Sequence, residues 1–402
     1  MKILIFLLSC KIMFATIIHV PDDVETIQGG LNLSESGDTV LVAPGTYVEN
    51  IIWPPDKDSI KLIGSGQDNS IIDGDQNGIV ILMAAFEGVD SIEDSEISNF
   101  TIQNGFTAGS GGGIVISSAN VTLKNLTIKG NSGNYGGGLN TLHSFVNLRN
   151  SVISDNISNY SAGGIALSVS TLLCSNTVIS GNYNYGDSGS GGLFSWDSNV
   201  ELTKCLLSEN FSGGVSSAVI GENGSNIVIR NCTISNNLGE TPSIFTEYCD
   251  VSILNTINFN NSNPGFIFEG GTMTVNYSNI QNGWDGEGNI DLDPQFTDPA
   301  YGDFTLLPTS PCIDAGTPFF VWEGDTLVNM SEDEYFGSAP DMGAYEFNPN
   351  ESGNSVDYSQ NWNLISLPVQ TDEYGCNNID ETTLYSFEEG GYVNTDIDEM
   401  EI

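Results

Sequence analysis

The chain has 402 residues, enough for one extended body with a small appendage, and its 46 glycines with only 15% charged residues exclude helical bundles and suit short strands joined by tight turns. Against 52 acids stand 9 Lys and Arg, for a formal charge of −43, and none of those cations follows Arg230. The basic footprint that nucleic acid requires is therefore missing, and anionic membrane surfaces are disfavoured for the same reason.

Residues 1–15, MKILIFLLSCKIMFA, have the pattern of an export signal: Lys2, an apolar run, and small Ala15 before a cleavage point. A lipoprotein signal, with Leu7, Leu8 and Ser9 ahead of an acylated Cys10, is the alternative. No other apolar run is long enough to span a bilayer. Further on, Asp73, Asp75 and Asn77 form the DxDxNG opening of an oxygen-ligand loop for calcium, although Ala84 stands where the closing Glu should be. A tight turn is the competing reading.

From residue 99 the chain repeats. NFTIQNG at 99–105, NLTIKGN at 125–131, NSVISDN at 150–156, NTVISGN at 176–182, KCLLSEN at 204–210 and NCTISNN at 231–237 superimpose without gaps. Their apolar position falls on Ile102, Ile128, Ile153, Ile179, Leu207 and Ile234, at spacings of 26, 25, 26, 28 and 27. In step with it run Gly112-Gly113, Gly137-Gly138, Gly163-Gly164, Gly191-Gly192 and Gly213-Gly214, each followed by an aliphatic residue, and a third strand is legible between, as in Asn120–Leu123 and Asn199–Leu202. Three short strands per coil of about 25 residues cannot bury their apolar face alone, but stacked coils close a continuous core. The expected fold is all-β: a right-handed parallel β-helix solenoid over 16–285. Asn131, Asn156, Asn182, Asn210 and Asn237 should stack as a hydrogen-bonded turn ladder. The Gly pairs should be close backbone approaches, since no helix follows them.

Within the coils, Tyr135, Tyr160 and Tyr185 each follow the turn Asn by three or four residues, so they should project from one flank, with Trp196 near them. Aromatic faces at multiples of about 4.8 Å can stack on a glycan. Mutual stacking that stiffens the turns is the plainer reading. Lys124 and Arg149, and likewise Lys204 and Arg230, fall at comparable positions of adjacent coils, with no recurring acidic cluster; lone His143 reads as an outward strand residue. The cysteines at 174, 205, 232, 249, 312 and 376 show no metal spacing and read as buried thiols, with disulfides as the alternative.

Beyond the coils, Asp291, Asp293, Asp298 and Asp303 form a second acidic group that could hold calcium.

IIHVPDDVETIQGGLNLSESGDTVLVAPGTYVENI, at 17–51, resembles the opening of pectin-lyase-like β-helix proteins and implies a short helix around Glu25–Leu33 capping the first rung. The Gly-pair signal resembles polymorphic outer-membrane-protein repeats. YSNIQNG, GNIDLDPQF, GDFTLLPTSPCIDAG and APDMGAYEF, at 277–347, resemble the choice-of-anchor Q domain of bacterial surface proteins, and imply that 286–350 packs on the helix end. NWNLISLPV at 361–369 resembles the start of a small β module of type IX-sorted proteins; 351–402 then reads as a linker and an incomplete module without a sorting tail. These resemblances imply a secreted or outer-surface bacterial protein. The expected function is non-catalytic adhesion or glycan binding by a monomer, with a calcium-dependent polysaccharide lyase as the rival; the GHG and RxK motifs of polygalacturonase-like hydrolases are absent.

Overall fold

The structure, a computed structural model, describes residues 15–85, 91–263, 265–322 and 324–349, with the backbone of 385–388 and 391–394. Most of the export signal, Cys10, Cys376 and the NWNLISLPV segment lie outside the described residues. The chain divides into two units, 1–355 and 356–402. In the second, Tyr385–Glu388 and Gly391–Asn394 form an antiparallel hairpin.

The first unit is built of parallel strands that pair with the equivalent strand one coil away. One coil supplies Leu139–Leu142, Phe145–Arg149, Val152–Ser154 and the two-residue strand Ile157–Ser158, and the next repeats them as Ile165–Ser168, Thr171–Ser175, Val178–Ser180 and Tyr183–Asn184. Three strands carry the sides of the coil, as the spacing predicts; the two-residue strand is an addition. The apolar column Ile102, Ile128, Ile153, Ile179, Leu207 and Ile234 is in register and fully buried. Each such side chain contributes roughly 1.5–3 kcal/mol. The column ends where Ile234 pairs with Asn258.

Sharp corners follow from residues in the left-handed region. Asn99, Asn125, Asn150, Asn176, Lys204, Asn231 and Asn255 make one corner column, with φ between 47° and 63°. Asn takes this conformation readily because its short amide bonds locally. Ser118, His143, Val169 and Asp197 make another, so His143 is an exposed corner residue at φ 48° and not a strand residue.

The Asn ladder forms as expected. Asn131, Asn156, Asn182 and Asn210 donate Nδ2 to the next Oδ1 at 2.9–3.1 Å, down to Asn237, and a sixth rung, Asn261, extends it. The Gly pairs are close approaches: a Cβ on Gly113 would lie 2.4 Å from the Gly138 carbonyl oxygen, and one on Gly164 2.5 Å from that of Gly192. Gly213-Gly214 departs from this pattern. Ser217 and Ala218 occupy the pair's register above Gly191-Gly192, because Gly213 and Gly214 directly follow the short strand and lie in the loop before that register, near Tyr185 and Asp187.

A helix, Ile27–Leu33, caps the first rung and buries Ile27, Gly30 and Leu31. Thr26 caps it, and the Glu49 carboxylate accepts the N–H groups of Ile27 and Gln28 at 2.9 Å. At the other end Glu287–Ile290 adds a final rung on Tyr277–Ile280. The chain then turns back along the side of the solenoid, where Phe296, Phe304, Leu306, Cys312 and Met342 pack on outward-facing Leu206 and Ile257. Residues 286–349 therefore share one compact unit with the coils.

Candidate functional site

The short strands Ser132–Gly133, Ile157–Ser158, Tyr183–Asn184, Phe211–Ser212 and Leu238–Gly239 form a narrow parallel sheet just past the Asn ladder. Their first residues face outward because the second ones are drawn in beside the ladder; Asn184, for example, is buried and bonds to Ser158 Oγ at 2.8 Å. Ile157, Tyr183, Phe211 and Leu238 thus make one outward column.

Next to this column stand the tyrosines. Tyr160 lies over Tyr135, with ring centroids 5.6 Å apart and planes at 28°. Tyr185 does not continue that stack. Its N–H donates to Ser158 O, which sets it over Asn159, one residue short of Tyr160. Its ring instead meets Tyr183 at 6.2 Å and Phe211 at 6.4 Å, while Tyr183 and Phe211 lie 5.9 Å apart. The flank therefore carries a pair and a trio of rings, with Tyr160 53% and Tyr185 59% exposed. Tyr183 and Phe211 were not singled out in the sequence. The signal was present, since both stand directly after a ladder Asn.

Trp196 ends the strand Leu193–Trp196, in register with Ser168 and Glu222, four residues beyond the Gly bend that the flank adjoins. It shares no ring contact with the tyrosines.

The acidic groups serve turns. Asp73 Oδ1 accepts the Asp75 N–H at 2.9 Å, and Oδ2 accepts from Gln103 and Asn104 at 2.9 and 2.8 Å. Burial opposes its charge, yet these bonds outweigh it and hold the carboxyl below its usual range. Asp75 takes φ 48° in the same turn, and Asn77 donates its N–H to Gly74 O. Asp291 accepts from Asn282 N–H, Asp293 from Gln295 N–H and Asp303 from Thr305 N–H, while Asp298 pairs with Asp303 across two short strands. Among the described residues no three His, Cys, Asp or Glu side chains come together as a metal site.

Lys124 and Arg149 are in direct register. Arg230, however, pairs with Thr203, and Lys204 belongs to the corner one residue on. Carboxylates do stand beside two of these cations: Glu96 pairs with Lys124 at 2.9 Å, and Glu201 with Arg230. Cys174, Cys205, Cys232, Cys249 and Cys312 are free and buried. Cys205 and Cys232 sit at the corner where other coils use a hydroxyl, each thiol donating to a carbonyl two residues back.

No family model and no curated protein matches the sequence. Solved structures do. Pectate lyase Pel9A superposes with a TM-score of 0.50 at 15% identity, over 84% of this chain and 98% of its own. The fold is the right-handed parallel β-helix of the pectate-lyase kind. The A-module of the mannuronan C-5 epimerase AlgE4 from Azotobacter vinelandii aligns at 15% identity, over 65% of this chain and 84% of its own, with a TM-score of 0.39. PfbA, a surface adhesin of Streptococcus pneumoniae, aligns at 11% identity, over 63% and 82%, with a TM-score of 0.29. Among the described residues no helix is long and apolar enough to cross a membrane.

Proposed function

We propose that this β-helix is a non-catalytic glycan-binding protein, secreted or displayed on a bacterial surface, and that it contacts its polysaccharide through the aromatic flank. The carrying observation is the trio of exposed Tyr183 and Tyr185 with half-buried Phe211, beside the exposed pair Tyr135 and Tyr160, on successive coils. Rungs repeat at about 4.8 Å, so ring faces recur along the solenoid axis as sugar faces recur along an extended glycan. The pectate lyase neighbour, named for a polysaccharide substrate, supports this reading at the level of fold. Segment 277–347 serves in it as an anchor-type element of the choice-of-anchor Q kind.

Affinity electrophoresis in a panel of neutral and acidic polysaccharides tests it. Each stacked ring is worth about 0.5–1.5 kcal/mol, so replacing Tyr183, Tyr185 and Phe211 together by Ala should weaken retention more than about tenfold. Unchanged retention would remove the flank from the account.

The rival, a polysaccharide lyase, has one observation in its favour: Lys204, Arg230 and Glu201 gather at one place. Absorbance at 235 nm during incubation with the same panel decides it, since a lyase leaves unsaturated ends and a binder leaves none.

A further inference from the structure

Only two Lys or Arg residues follow Arg149, namely Lys204 and Arg230, and both line one cleft of about 400 Å³. It opens between the corner column that holds Lys204 and Asn231 and the strand Asp325–Asn329, with Thr203, Asn231 and Glu334 on its walls. Arg230 is largely committed: Glu201 pairs with it, Nη1 donates to Leu327 O at 2.9 Å and Nε to Thr203 Oγ1 at 3.0 Å. Lys204 is not. Its Nζ donates to the Glu334 carbonyl at 3.4 Å, and among the described residues no carboxylate oxygen stands within ion-pair distance. Asn231, only 3% exposed, has an Nδ2 without a partner among the described residues.

The corner itself argues that this lysine is more than structural. Coils before and after place Asn there, at 99, 125, 150, 176, 231 and 255, and Asn suits the left-handed backbone better than a long side chain does. Lys204 adopts the same conformation at φ 53° with a long side chain in place of the short amide. Tyr277, the other departure, bonds to Glu287.

The geometry points to a binding site for one oxyanion group, a carboxylate or a sulfate ester, on a single sugar residue. That the carrier is a sugar rests on the glycan reading above; the charge of the group rests on the cleft alone. An ammonium with spare donors and a guanidinium edge offer N–H groups to an anionic oxygen. In a chain of charge −43 this attraction is local, so the rest of the surface repels a polyanion far more strongly than a monoanion. The volume falls in the range, from about 300 Å³ upward, of small-ligand sites.

Calorimetric titration of the full chain with methyl galacturonide, glucose 6-sulfate and uncharged methyl glucoside tests the inference. Both acids should bind, the stronger identifying the preferred group, and methyl glucoside should not. Lys204→Asn restores the column's own residue, so the melting temperature should hold while acid affinity falls at least about tenfold. Polygalacturonate should bind less tightly per residue than the monomer. Equal binding of the neutral sugar, no binding of either acid, or undiminished binding by Lys204→Asn overturns the site. The flank variant should keep acid binding. Acids bound with no polysaccharide retained would sink the flank alone, and the converse would sink the cleft alone.

Discussion

At the scale of single residues, the Asn ladder shows how a buried polar side chain becomes a fixed part of a solenoid. Asn182 donates Nδ2 to Asn210 Oδ1 at 3.0 Å and to Ile153 O at 2.9 Å, while its Oδ1 accepts the backbone and side-chain N–H groups of Asn156. Asn182→Leu keeps the volume but strands the Asn156 donors and the Ile153 carbonyl in the core. Unpaired buried groups cost about 1–3 kcal/mol each, so the expected loss is on the order of 3–5 kcal/mol, seen as a lower urea midpoint at unchanged slope. Asn182→Asp should fare no better, since an acceptor would face the Ile153 carbonyl and the Asn210 Oδ1. Val169 offers the opposite case. It is β-branched, exposed, and held at φ 47° where neighbouring coils use Ser118, His143 and Asp197. Val169→Asn should relieve that strain and raise stability by about 1 kcal/mol, and a melting temperature that fell instead would show that Val169 makes a contact worth more than the strain.

At the scale of elements, the strands were legible because each coil repeats the same alternation, whereas the C-terminal segment follows no period. The repeat placed Ile128, Ile153 and Ile179 in one column and Asn156 above Asn182. Spacing by itself misplaced Gly213-Gly214, because loops of unequal length sit between the short strand and the next Gly bend, and it put Tyr185 in line with Tyr160 although Tyr185 follows its ladder Asn by three residues and Tyr160 by four. Tyr183 and Phe211 escaped notice since a two-residue strand leaves no alternation to read. No pattern in the sequence of residues 286–349 marks that they fold along outward-facing Leu206 and Ile257, as they do. In that segment, burial and the charge of Asp341 push the Glu346 carboxyl up to about 7, whereas in the unfolded chain it returns to about 4.5. Between those values the folded form holds a proton that the unfolded form has lost. Stability from this group is therefore fully present below about pH 4.5 and declines as pH rises through 7. The side chain is only half-buried, so solvent screening leaves roughly 1–2 kcal/mol. Asp73 and Glu96, held below their usual range, act in the other direction and only in acid. The melting temperature should thus fall from pH 5.5 to pH 8, and Glu346→Gln, which still accepts the Asp341 N–H, should flatten that fall.

For the whole molecule, a solenoid has no unique centre, and stability is close to a sum of coils and the interfaces between them. Deleting residues 151–176 joins Asn150 to Thr177 in place of the equivalent Asn176, and so removes one turn of 26 residues and keeps an Asn at that corner. The excised turn takes away the buried Ile153, Ile165, Leu167 and Leu172 together with the backbone entropy that their burial offsets, so the gain and the cost leave in step. The shortened chain should fold, with its β-sheet circular dichroism and cooperative melting kept and its melting temperature within a few degrees of the parent. The Asn ladder should close, Asn131 meeting Asn182 in place of Asn156. The flank would change more than the fold: Tyr160 goes, the Tyr135 stack with it, and the trio comes down onto Ser132. Glycan retention should consequently fall by the share that the pair supplies while the trio still binds. A deletion that unfolds the chain would mean that the coils are not equivalent, and that the C-terminal segment lying across several of them, and not the stacking itself, sets the stability of the solenoid.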